Sequence, residues 1–404
     1  MIAAPEAGRS ADRRGWSYFV LYGVAVAAGV VSYAPFLTLL LPMKIEGLAE
    51  DKIHWLSMAT LLGAGVASLT NIGAGWLSDV SLKRGIGRRR WMLAGLVATL
   101  FSYGVLWLCQ TPAAVVAGVV AFQMAVNLML APLSALIVDE TPDGQKGLAA
   151  GVAAAVYPVG MLAGVAVTAS PTLGEGVQFM MIGGAVALGL IPFILKRAPA
   201  PVPASSPQPM AAATSRQLGG VWLARLLIQV AGNVLFAYVY FYFESVAGSE
   251  DPSEVAGRVA LLSAVVAAVG APAALVGGRL SDLAGGRRPF LATSAALATA
   301  ALFLMALSSS WAMAALGYGL FSVSANVFLA VSSAYVMQRL PSPDHRGRDM
   351  GLLNLTNTLP ALIAPAMALV VAREHDFGPL LLLLALLGVI ATAIALSLNE
   401  PAAP

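Results

Sequence analysis

Long apolar runs separated by short polar segments recur along almost the whole chain. A helix needs about 20 mostly apolar residues to cross the hydrocarbon core of a membrane, where it must satisfy its own backbone hydrogen bonds. Twelve runs meet this requirement, and the split between the third and fourth depends on a tight turn at 110–112. The predicted spans are residues 16–41, 53–76, 91–109, 112–138, 147–170, 178–195, 219–246, 255–279, 289–308, 311–339, 349–373 and 379–398. The pattern therefore predicts an all-α polytopic membrane protein.

Composition agrees with a membrane location and excludes several other classes. The 404 residues are 59% apolar and 11% charged, whereas ordinary soluble domains are about 45–50% apolar and about 25% charged. Secreted disulfide scaffolds, disordered chains and nucleic-acid binders are thereby excluded. Cys109 is the single cysteine, so neither an intramolecular disulfide nor a cysteine-ligated metal site is available.

The positive charges follow the alternation of the predicted loops. With the N-terminus inside the cell, 18 of the 23 Lys and Arg residues fall in cytoplasmic segments, four fall in external loops, and Arg225 lies within a span. Cytoplasmic loops of membrane proteins carry an excess of Lys and Arg. We therefore predict a multi-pass protein of the cell inner (cytoplasmic) membrane with both termini cytoplasmic. The pI of about 9.0 then reflects topology, and no nucleic-acid partner is expected.

A segment rich in proline, alanine and serine divides the chain. Residues 198–209 have no amphipathic period, which is typical of a semi-extended linker. We predict an N-terminal six-helix bundle over 1–195, a cytoplasmic linker over 196–218 and a C-terminal six-helix bundle over 219–404.

The two halves share a sequence motif. Gly75-Trp-Leu-Ser-Asp79 ends the second span, and Gly278-Arg-Leu-Ser-Asp282 ends the eighth, with an offset of 203 residues at every position. A basic cluster follows each copy. A second pair of related segments, 142–147 and 341–347, follows the fourth and tenth spans. Parallel repeats of six helices are a recurrent plan of transporters.

The repeated residues are candidates for a conformational latch. A glycine lets two helix ends approach closely, and an aspartate at the membrane edge needs a cation or a helix N-terminus as its partner. A turn with topogenic arginines explains one copy equally well, but two equivalent copies favour a latch that closes the cytoplasmic side in one state. The latch candidates are Gly75, Asp79, Arg84, Arg88, Arg89, Arg90, Gly278, Asp282, Arg287, Arg288, Asp139 and Arg346.

The same residues resemble the signature of the major facilitator superfamily. Its loop between spans two and three carries Gly-x-Leu-x-Asp-(Arg/Lys)-x-Gly-(Arg/Lys)-(Arg/Lys), and the loop between spans eight and nine echoes it. The matching residues are Gly75, Leu77, Asp79 and Arg88 to Arg90 in one copy and Gly278, Leu280, Asp282, Gly285, Arg287 and Arg288 in the other. The basic residue expected after each aspartate is Val80 in one copy and Leu283 in the other.

The long first loop is similar to that of the glycoside–cation and sucrose symporter branch of this superfamily. Residues 131–139 and 351–360 are also similar to segments of that branch, although Ser134 stands where the branch often has an arginine. The resemblance implies two six-helix bundles that rock about a midplane site, so that each side of the membrane has access in turn. It also implies that spans one, four, seven and ten surround a central cavity.

Polar side chains near this cavity are candidates for solute binding. Spans four, seven and ten each carry two polar residues spaced i, i+4, which places each pair on one helix face. Such amides can bind a neutral, hydroxyl-rich ligand while tyrosines stack on its apolar faces, or they can hold the helices together. The substrate-binding candidates are Tyr22, Tyr33, Gln123, Asn127, Gln229, Asn233, Tyr240, Ser322, Asn326, Asn354 and Asn357.

Charge is scarce in the middle of the spans. No Asp or Glu lies there, and Arg225, about two turns into span seven, has a side chain long enough to snorkel to the interface. A strongly anionic solute is therefore disfavoured, and no central carboxylate supports proton coupling. Arg225 and Glu244 are the candidates for a coupling role, with a surface position as the alternative for Glu244.

These observations together predict a secondary active transporter for a small, neutral, sugar-like solute, with coupling to H⁺ or Na⁺ left open. Export of an amphipathic drug, antibiotic or metabolite is the alternative within the same class. A transporter-fold sensor or membrane enzyme is the alternative from another class, but no nucleophile, base and metal ligands converge in the sequence. We expect no cofactor, no metal and no enzymatic activity, membrane lipid and the solute as partners, and a monomer.

Overall fold

The computed structural model describes residues 13–168, 174–196, 212–247, 252–340, 342–371 and 377–399. Within these ranges every regular element is helical, with short 3₁₀ turns at Asp143–Gln145 and Pro343–His345. The α-helices are α1 (Trp16–Pro35), α2 (Leu41–Glu46), α3 (Lys52–Lys83), α4 (Arg88–Leu108), α5 (Pro112–Glu140), α6 (Lys146–Thr168), α7 (Glu175–Leu195), α8 (Ala212–Ala247), α9 (Pro252–Leu283), α10 (Arg288–Ala306), α11 (Trp311–Arg339), α12 (Arg346–Val371) and α13 (Gly378–Ser397).

Two features of the N-terminal helices follow from local sequence. Pro35 is followed by a π-helical turn, Phe36–Leu40, which joins α1 to α2 within the first predicted span. The predicted turn before α5 is confirmed. There Pro112 occupies the first helical position, where its missing N–H is not needed, and the Thr111 hydroxyl accepts the N–H of Ala114 at 3.3 Å.

Ten helical segments in the described part of the chain are long and apolar enough to cross a membrane. The continuous segment Trp16–Glu46 counts as one of them. Helices α6 and α12 coincide with the predicted spans 147–170 and 349–373, whose last two residues lie outside the described ranges. The all-helical class is therefore confirmed, while the twelve crossings and the cytoplasmic termini stay predictions.

Most of the predicted linker lies outside the described residues. Residues 197–211 belong to that part of the chain, whereas α8 already begins at Ala212, within the predicted linker 196–218. The last part of that segment is therefore helical.

The described residues divide into two compact units. Unit 1 takes those within Met1–Pro142, Val156–Pro207 and Leu340–Asn354, and unit 2 takes those within Asp143–Ala155, Gln208–Arg339 and Leu355–Pro404. Each unit therefore includes a short segment from the other predicted half of the sequence. The exchanged segments contain the first turns of α6 and α12.

The helices of each unit pack around an apolar core. In unit 1, α3 and α4 pack against α5, while α1 and α4 pack against α7. Phe36 and Phe122 lie at the centre, with ring centroids 4.8 Å apart. In unit 2, α10 packs against α11 and α13, and α9 packs against α11. Phe243 there contacts Trp311, with centroids 4.6 Å apart. These aromatic contacts fix the helices that position the polar groups described below.

Candidate functional site

The end of α3 carries a buried carboxylate that caps another helix. Asp79 is only 2% exposed. Its two carboxylate oxygens accept the backbone N–H groups of Gly347 at 2.8 Å and Arg348 at 3.0 Å, in the first turn of α12. The N-terminus of a helix has unpaired N–H groups and a positive partial charge, so a carboxylate is favourable there.

Arg88 connects this carboxylate to a second one. Its Nη2 lies 2.8 Å from Asp79, its Nε lies 2.6 Å from Asp139, and its Nη1 donates to the Ser78 hydroxyl at 2.5 Å. Asp139 also pairs with Arg346 at 3.0 Å. We call Asp79, Arg88, Asp139 and Arg346 cluster 1. It is an alternating row of two carboxylates and two guanidinium groups, and it lies entirely in unit 1.

Unit 2 contains a related arrangement at the end of α9. The carboxylate of Asp282 accepts the backbone N–H groups of Gly147 at 2.9 Å and Leu148 at 2.8 Å, in the first turn of α6. Arg287 lies 2.6 Å from Asp282 and donates its Nε to the Gln338 amide at 2.8 Å. We call Asp282, Arg287 and Gln338 cluster 2.

The arginine of cluster 2 is buried. Burial lowers the pKa of the Arg287 guanidinium, and the Asp282 carboxylate raises it in opposition. Arg287 Nη1 also donates to the Ser281 hydroxyl at 2.7 Å. The pair is therefore held by hydrogen bonds on several sides, as a buried ion pair requires.

Glycines make both carboxylate caps geometrically available. A Cβ built on Gly75 would collide with the Gly347 carbonyl, and one built on Gly278 would collide with the Gly147 carbonyl. The helix ends therefore lie closer together than any larger residue allows. The predicted role of the motif glycines, close approach of two helix ends, matches this geometry.

The remaining latch candidates lie apart from both clusters. Arg89 pairs with Glu140, and Arg288 donates to the Leu396 carbonyl. Arg84 and Arg90 are exposed, and neither makes an ion pair with another described residue. The basic runs thus contribute one arginine each to the clusters.

Three residues that belong to the clusters or bond to their arginines were not among the predicted site residues. Ser78 and Ser281 each receive a guanidinium hydrogen bond, and Gln338 takes the place of a carboxylate. The serines had a signal, because each occupies the position before the aspartate in both motif copies.

Unit 1 buries a small amide network between α3 and α5. Asn71 donates to the Asn127 side chain at 2.9 Å, and Asn127 donates to the Gln123 carbonyl at 2.9 Å. Of the tyrosine candidates, Tyr22 packs against Phe193, with centroids 6.1 Å apart in the core of unit 1. Two predicted residues, Gln123 and Asn127, are therefore brought together here.

Tyr33 is half-buried on α1, and its side chain is hydrogen-bonded to that of Tyr157. Asn354, also half-buried, belongs to the α12 segment of unit 1, whereas Asn357 belongs to unit 2. These two asparagines of one predicted set are thus assigned to different units.

Unit 2 brings together a larger set of predicted residues. Gln229 donates to the Asn357 side chain at 2.6 Å, and Asn233 donates to the Gln229 carbonyl at 2.9 Å. Arg225 lies one turn before Gln229 and donates to the Thr356 hydroxyl at 2.9 Å. The arginine is 7% exposed, so it is buried in unit 2 rather than extended to an interface. Together these groups form a polar face made by α8 and α12.

The other candidates make local contacts. Asn326 donates to the Ser322 carbonyl at 3.0 Å on α11. Tyr240 donates to the Glu244 carboxylate at 3.2 Å on α8. Each of these contacts joins residues one helical turn apart, so it does not by itself distinguish a binding surface from helix packing.

The comparisons with known proteins agree with this architecture. A family model described as Major Facilitator Superfamily matches residues 19–365 and, in a second match, 248–404. Comparison with curated protein sequences gives no significant match.

Several solved structures are similar in fold. The human organic anion transporter MFSD10 (TETRAN) superposes with a TM-score of 0.74 at 17% identity, covering 97% of this chain and 100% of its own. The E. coli fucose:proton symporter FucP gives 0.73 at 14% identity, covering 93% and 97%. A bacterial homologue of the iron transporter ferroportin, in an outward-facing state with soaked iron, gives 0.70 at 14% identity, covering 95% and 98%. At such identities the likeness shows the fold alone.

Proposed function

Because the chain belongs to the Major Facilitator Superfamily, we propose that it is a secondary transporter that moves a small solute by alternating access. Membership of this family indicates a polytopic membrane transporter rather than an enzyme. We propose twelve crossings, with α6 and α12 completing the ten apolar segments, and both termini on the cytoplasmic side.

The observation that supports this mechanism is the pair of carboxylate caps. Asp79 comes from the N-terminal half of the sequence and caps α12 from the C-terminal half, while Asp282 does the reverse for α6. Charge-assisted hydrogen bonds of this kind contribute about 1.5–3 kcal/mol each. That is strong enough to favour one state and weak enough for a solute to shift the balance. We therefore propose that clusters 1 and 2 latch the cytoplasmic side.

For the solute we propose a sugar-like, hydroxyl-rich compound. The support is the density of amide groups, with Gln123 and Asn127 in unit 1 and Gln229 and Asn357 in unit 2. Amides both donate and accept hydrogen bonds, as hydroxyl groups require. A fucose:proton symporter is among the structures of similar fold, but an organic anion transporter and an iron transporter homologue are as well. The fold therefore accommodates several solute classes.

For coupling we propose that Glu244 takes up a proton. Its carboxylate accepts the Tyr240 hydroxyl at 3.2 Å, and among the described residues it has no cationic partner within 4 Å. A carboxylate without a fixed cation can change its protonation state without breaking an ion pair. Glu244→Gln is then expected to abolish dependence of uptake on a proton gradient and to leave exchange intact.

A second candidate function is export of an amphipathic compound. It is favoured by the aromatic residues of α8, where Phe236 and Phe241 are exposed and Tyr238 and Tyr240 are half-buried. Such a surface suits a solute with a large apolar part.

Counterflow in proteoliposomes distinguishes these functions. Purified protein is loaded with one unlabelled compound from a panel of sugars, organic acids and dyes, and uptake of the labelled form is followed against protein-free liposomes. We expect exchange of hydroxylated compounds. Exchange of dyes alone would replace the proposed solute by the amphipathic one, and no exchange of any compound would count against transport.

A further inference from the structure

Arg225 is a buried cation whose described partners are all neutral. Its Nε donates to Thr356 at 2.9 Å, and its Nη1 donates to the Leu329 carbonyl at 2.7 Å and to the Ser332 and Ser333 hydroxyls at 2.9 and 3.0 Å. In the described part of the chain, no carboxylate oxygen lies within 4 Å of this guanidinium. The neutral contacts orient the group, but they leave its charge uncompensated.

The other buried arginines show how unusual this is for the molecule. Among the described residues these are Arg88 and Arg287, and each pairs with at least one carboxylate, as does the half-buried Arg89. A charge removed from water is costly unless it is both paired and hydrogen-bonded, and more so inside a membrane span. Arg225 meets only the second condition, because no described side chain supplies a negative charge to pair with it.

One edge of the guanidinium retains donor capacity. Nη2 has a single described acceptor, the Asn357 side-chain oxygen, at a long 3.4 Å. That oxygen already accepts a much shorter bond, at 2.6 Å, from Gln229. An Nη2 amino group has two hydrogens, so at least one has no acceptor among the described residues. Asn357 is exposed, which places this edge beside the accessible side of the polar face.

We propose that this edge binds the anionic group of the solute, and that the solute is a hydroxylated carboxylic acid such as a sugar acid. The carboxylate would accept from Arg225 Nη2, while Gln229 and Asn357 hydrogen-bond the neighbouring hydroxyl groups. This inference rests on the proposed function of solute transport. It replaces the neutral solute expected from the sequence, because that expectation assumed no cation away from the interfaces.

Matched pairs of probes test the charge directly. Binding of D-glucuronate and D-glucose, and of D-gluconate and D-sorbitol, is measured on the purified full-length protein by calorimetry and by the shift in Tm. The members of each pair have similar size and hydroxyl content and differ in charge. We expect each acid to bind at least tenfold more tightly than its neutral partner. Equal affinities within both pairs, or no binding of either acid, overturns the proposal.

A variant on the same helix supplies the control for the arginine. Arg225→Gln removes the charge and is expected to weaken binding of the acids at least tenfold with little change for the neutral compounds. Arg216→Gln removes the same charge from an exposed position of α8 and is expected to change neither. A folded Arg225→Gln protein that keeps its preference for acids overturns the proposal.

A second variant keeps the test decisive if Arg225→Gln does not fold. Asn357→Asp places a carboxylate at the position that now accepts from Nη2, while the bracing contacts of Arg225 remain. We expect a higher Tm without solute and at least a tenfold loss of affinity for the acids. A lower Tm with unchanged affinity for the acids overturns the proposal.

Counterflow separates this inference from the function on which it rests. Exchange of D-glucose or D-sorbitol without preference for the acids leaves the transporter assignment intact and removes the anion site. Absence of exchange for the whole sugar, acid and dye panel counts against transport itself.

Discussion

Clusters 1 and 2 share a geometry and differ in charge. In both, an aspartate caps the first turn of a helix and an arginine binds that aspartate. In both, the arginine Nε bonds a side chain 51 residues later in the sequence. That side chain is the carboxylate of Asp139 in cluster 1 and the neutral amide of Gln338 in cluster 2. Within 4 Å and among the described residues, Arg88 therefore has two carboxylates, whereas Arg287 has one.

This difference distinguishes the effect of hydrogen-bond geometry on the clusters from the effect of charge. An amide oxygen accepts the same hydrogen bond as a carboxylate oxygen, so Gln338 preserves the orientation of the guanidinium. It supplies no counter-charge, and it has no equivalent of the ion pair between Asp139 and Arg346. The two caps are thus alike in construction, but cluster 2 depends on a single ion pair at its centre.

The largest effect is expected from breaking what the clusters share. Gly347→Ala and Gly147→Ala each place a methyl group against the carbonyl of the facing glycine, which is backbone and cannot move aside. We expect each to separate the helix ends, to remove both cap hydrogen bonds and to lower stability by about 3 kcal/mol or more. Thermal unfolding in detergent and counterflow rate measure the loss.

Two other glycines provide controls for this prediction. Gly73 on α3 and Gly257 on α9 have open space where a Cβ would be. Gly73→Ala and Gly257→Ala are expected to be neutral or slightly stabilising, by up to about 1 kcal/mol, because alanine favours the helix. Equal stability of all four variants would show that the close approach is not needed for the caps.

The next effect is expected to differ between the clusters. Asp282→Asn leaves Arg287 buried with no described carboxylate within 4 Å, since Asp143 acts on it only from farther away. Removing one partner of a buried ion pair costs about 3–5 kcal/mol. Asp79→Asn leaves Arg88 paired with Asp139 and is expected to cost about 1–3 kcal/mol. Thermal unfolding of both variants tests the order of the two costs.

The same variants test the proposed latch. We expect Asp79→Asn to increase the accessibility of the cytoplasmic side to a membrane-impermeant reagent and to alter the counterflow rate. If transport and accessibility both stay at the level of the unmodified protein, the latch role of Asp79 is wrong.

The sequence alone predicted the helical class, the repeated motif and the aspartates, because apolar periodicity and a fixed offset are local features of the chain. It did not predict which arginine of the run 88–90 is used. The first loop is longer than the second, so the arginine that reaches the aspartate is the ninth residue after Asp79 but the fifth after Asp282. That choice depends on how the loop folds back.

Whether the Arg225 side chain is buried could also not be predicted from the sequence. Its depth allowed either an extended side chain or a buried one, and the outcome depends on acceptors from α11 and α12, more than 100 residues away in the chain. The packing of Tyr22 could not be predicted from the sequence either. Its ring packs against Phe193 of α7, a neighbour that helical spacing on α1 alone does not reveal.

The smallest effects are expected from exchanging the side chain by which the clusters differ. Asp139→Asn keeps an acceptor for Arg88 but loses the charge, and we expect it to lower the free energy of unfolding by about 1 kcal/mol. Gln338→Glu gives Arg287 a second carboxylate, and we expect it to change the free energy of unfolding by no more than about 1 kcal/mol. Their value lies in combination with the aspartate variants, because residues of one network do not add independently.

Double variants measured by thermal unfolding complete this test. With Asp139→Asn present, Asp79→Asn should become nearly as costly as Asp282→Asn is in the unmodified protein, since Arg88 then also lacks a carboxylate. With Gln338→Glu present, Asp282→Asn should become milder. If Asp79→Asn and Asp282→Asn cost the same with and without these second substitutions, the second carboxylate does not cause the difference between the clusters. The two caps themselves would then differ in stability.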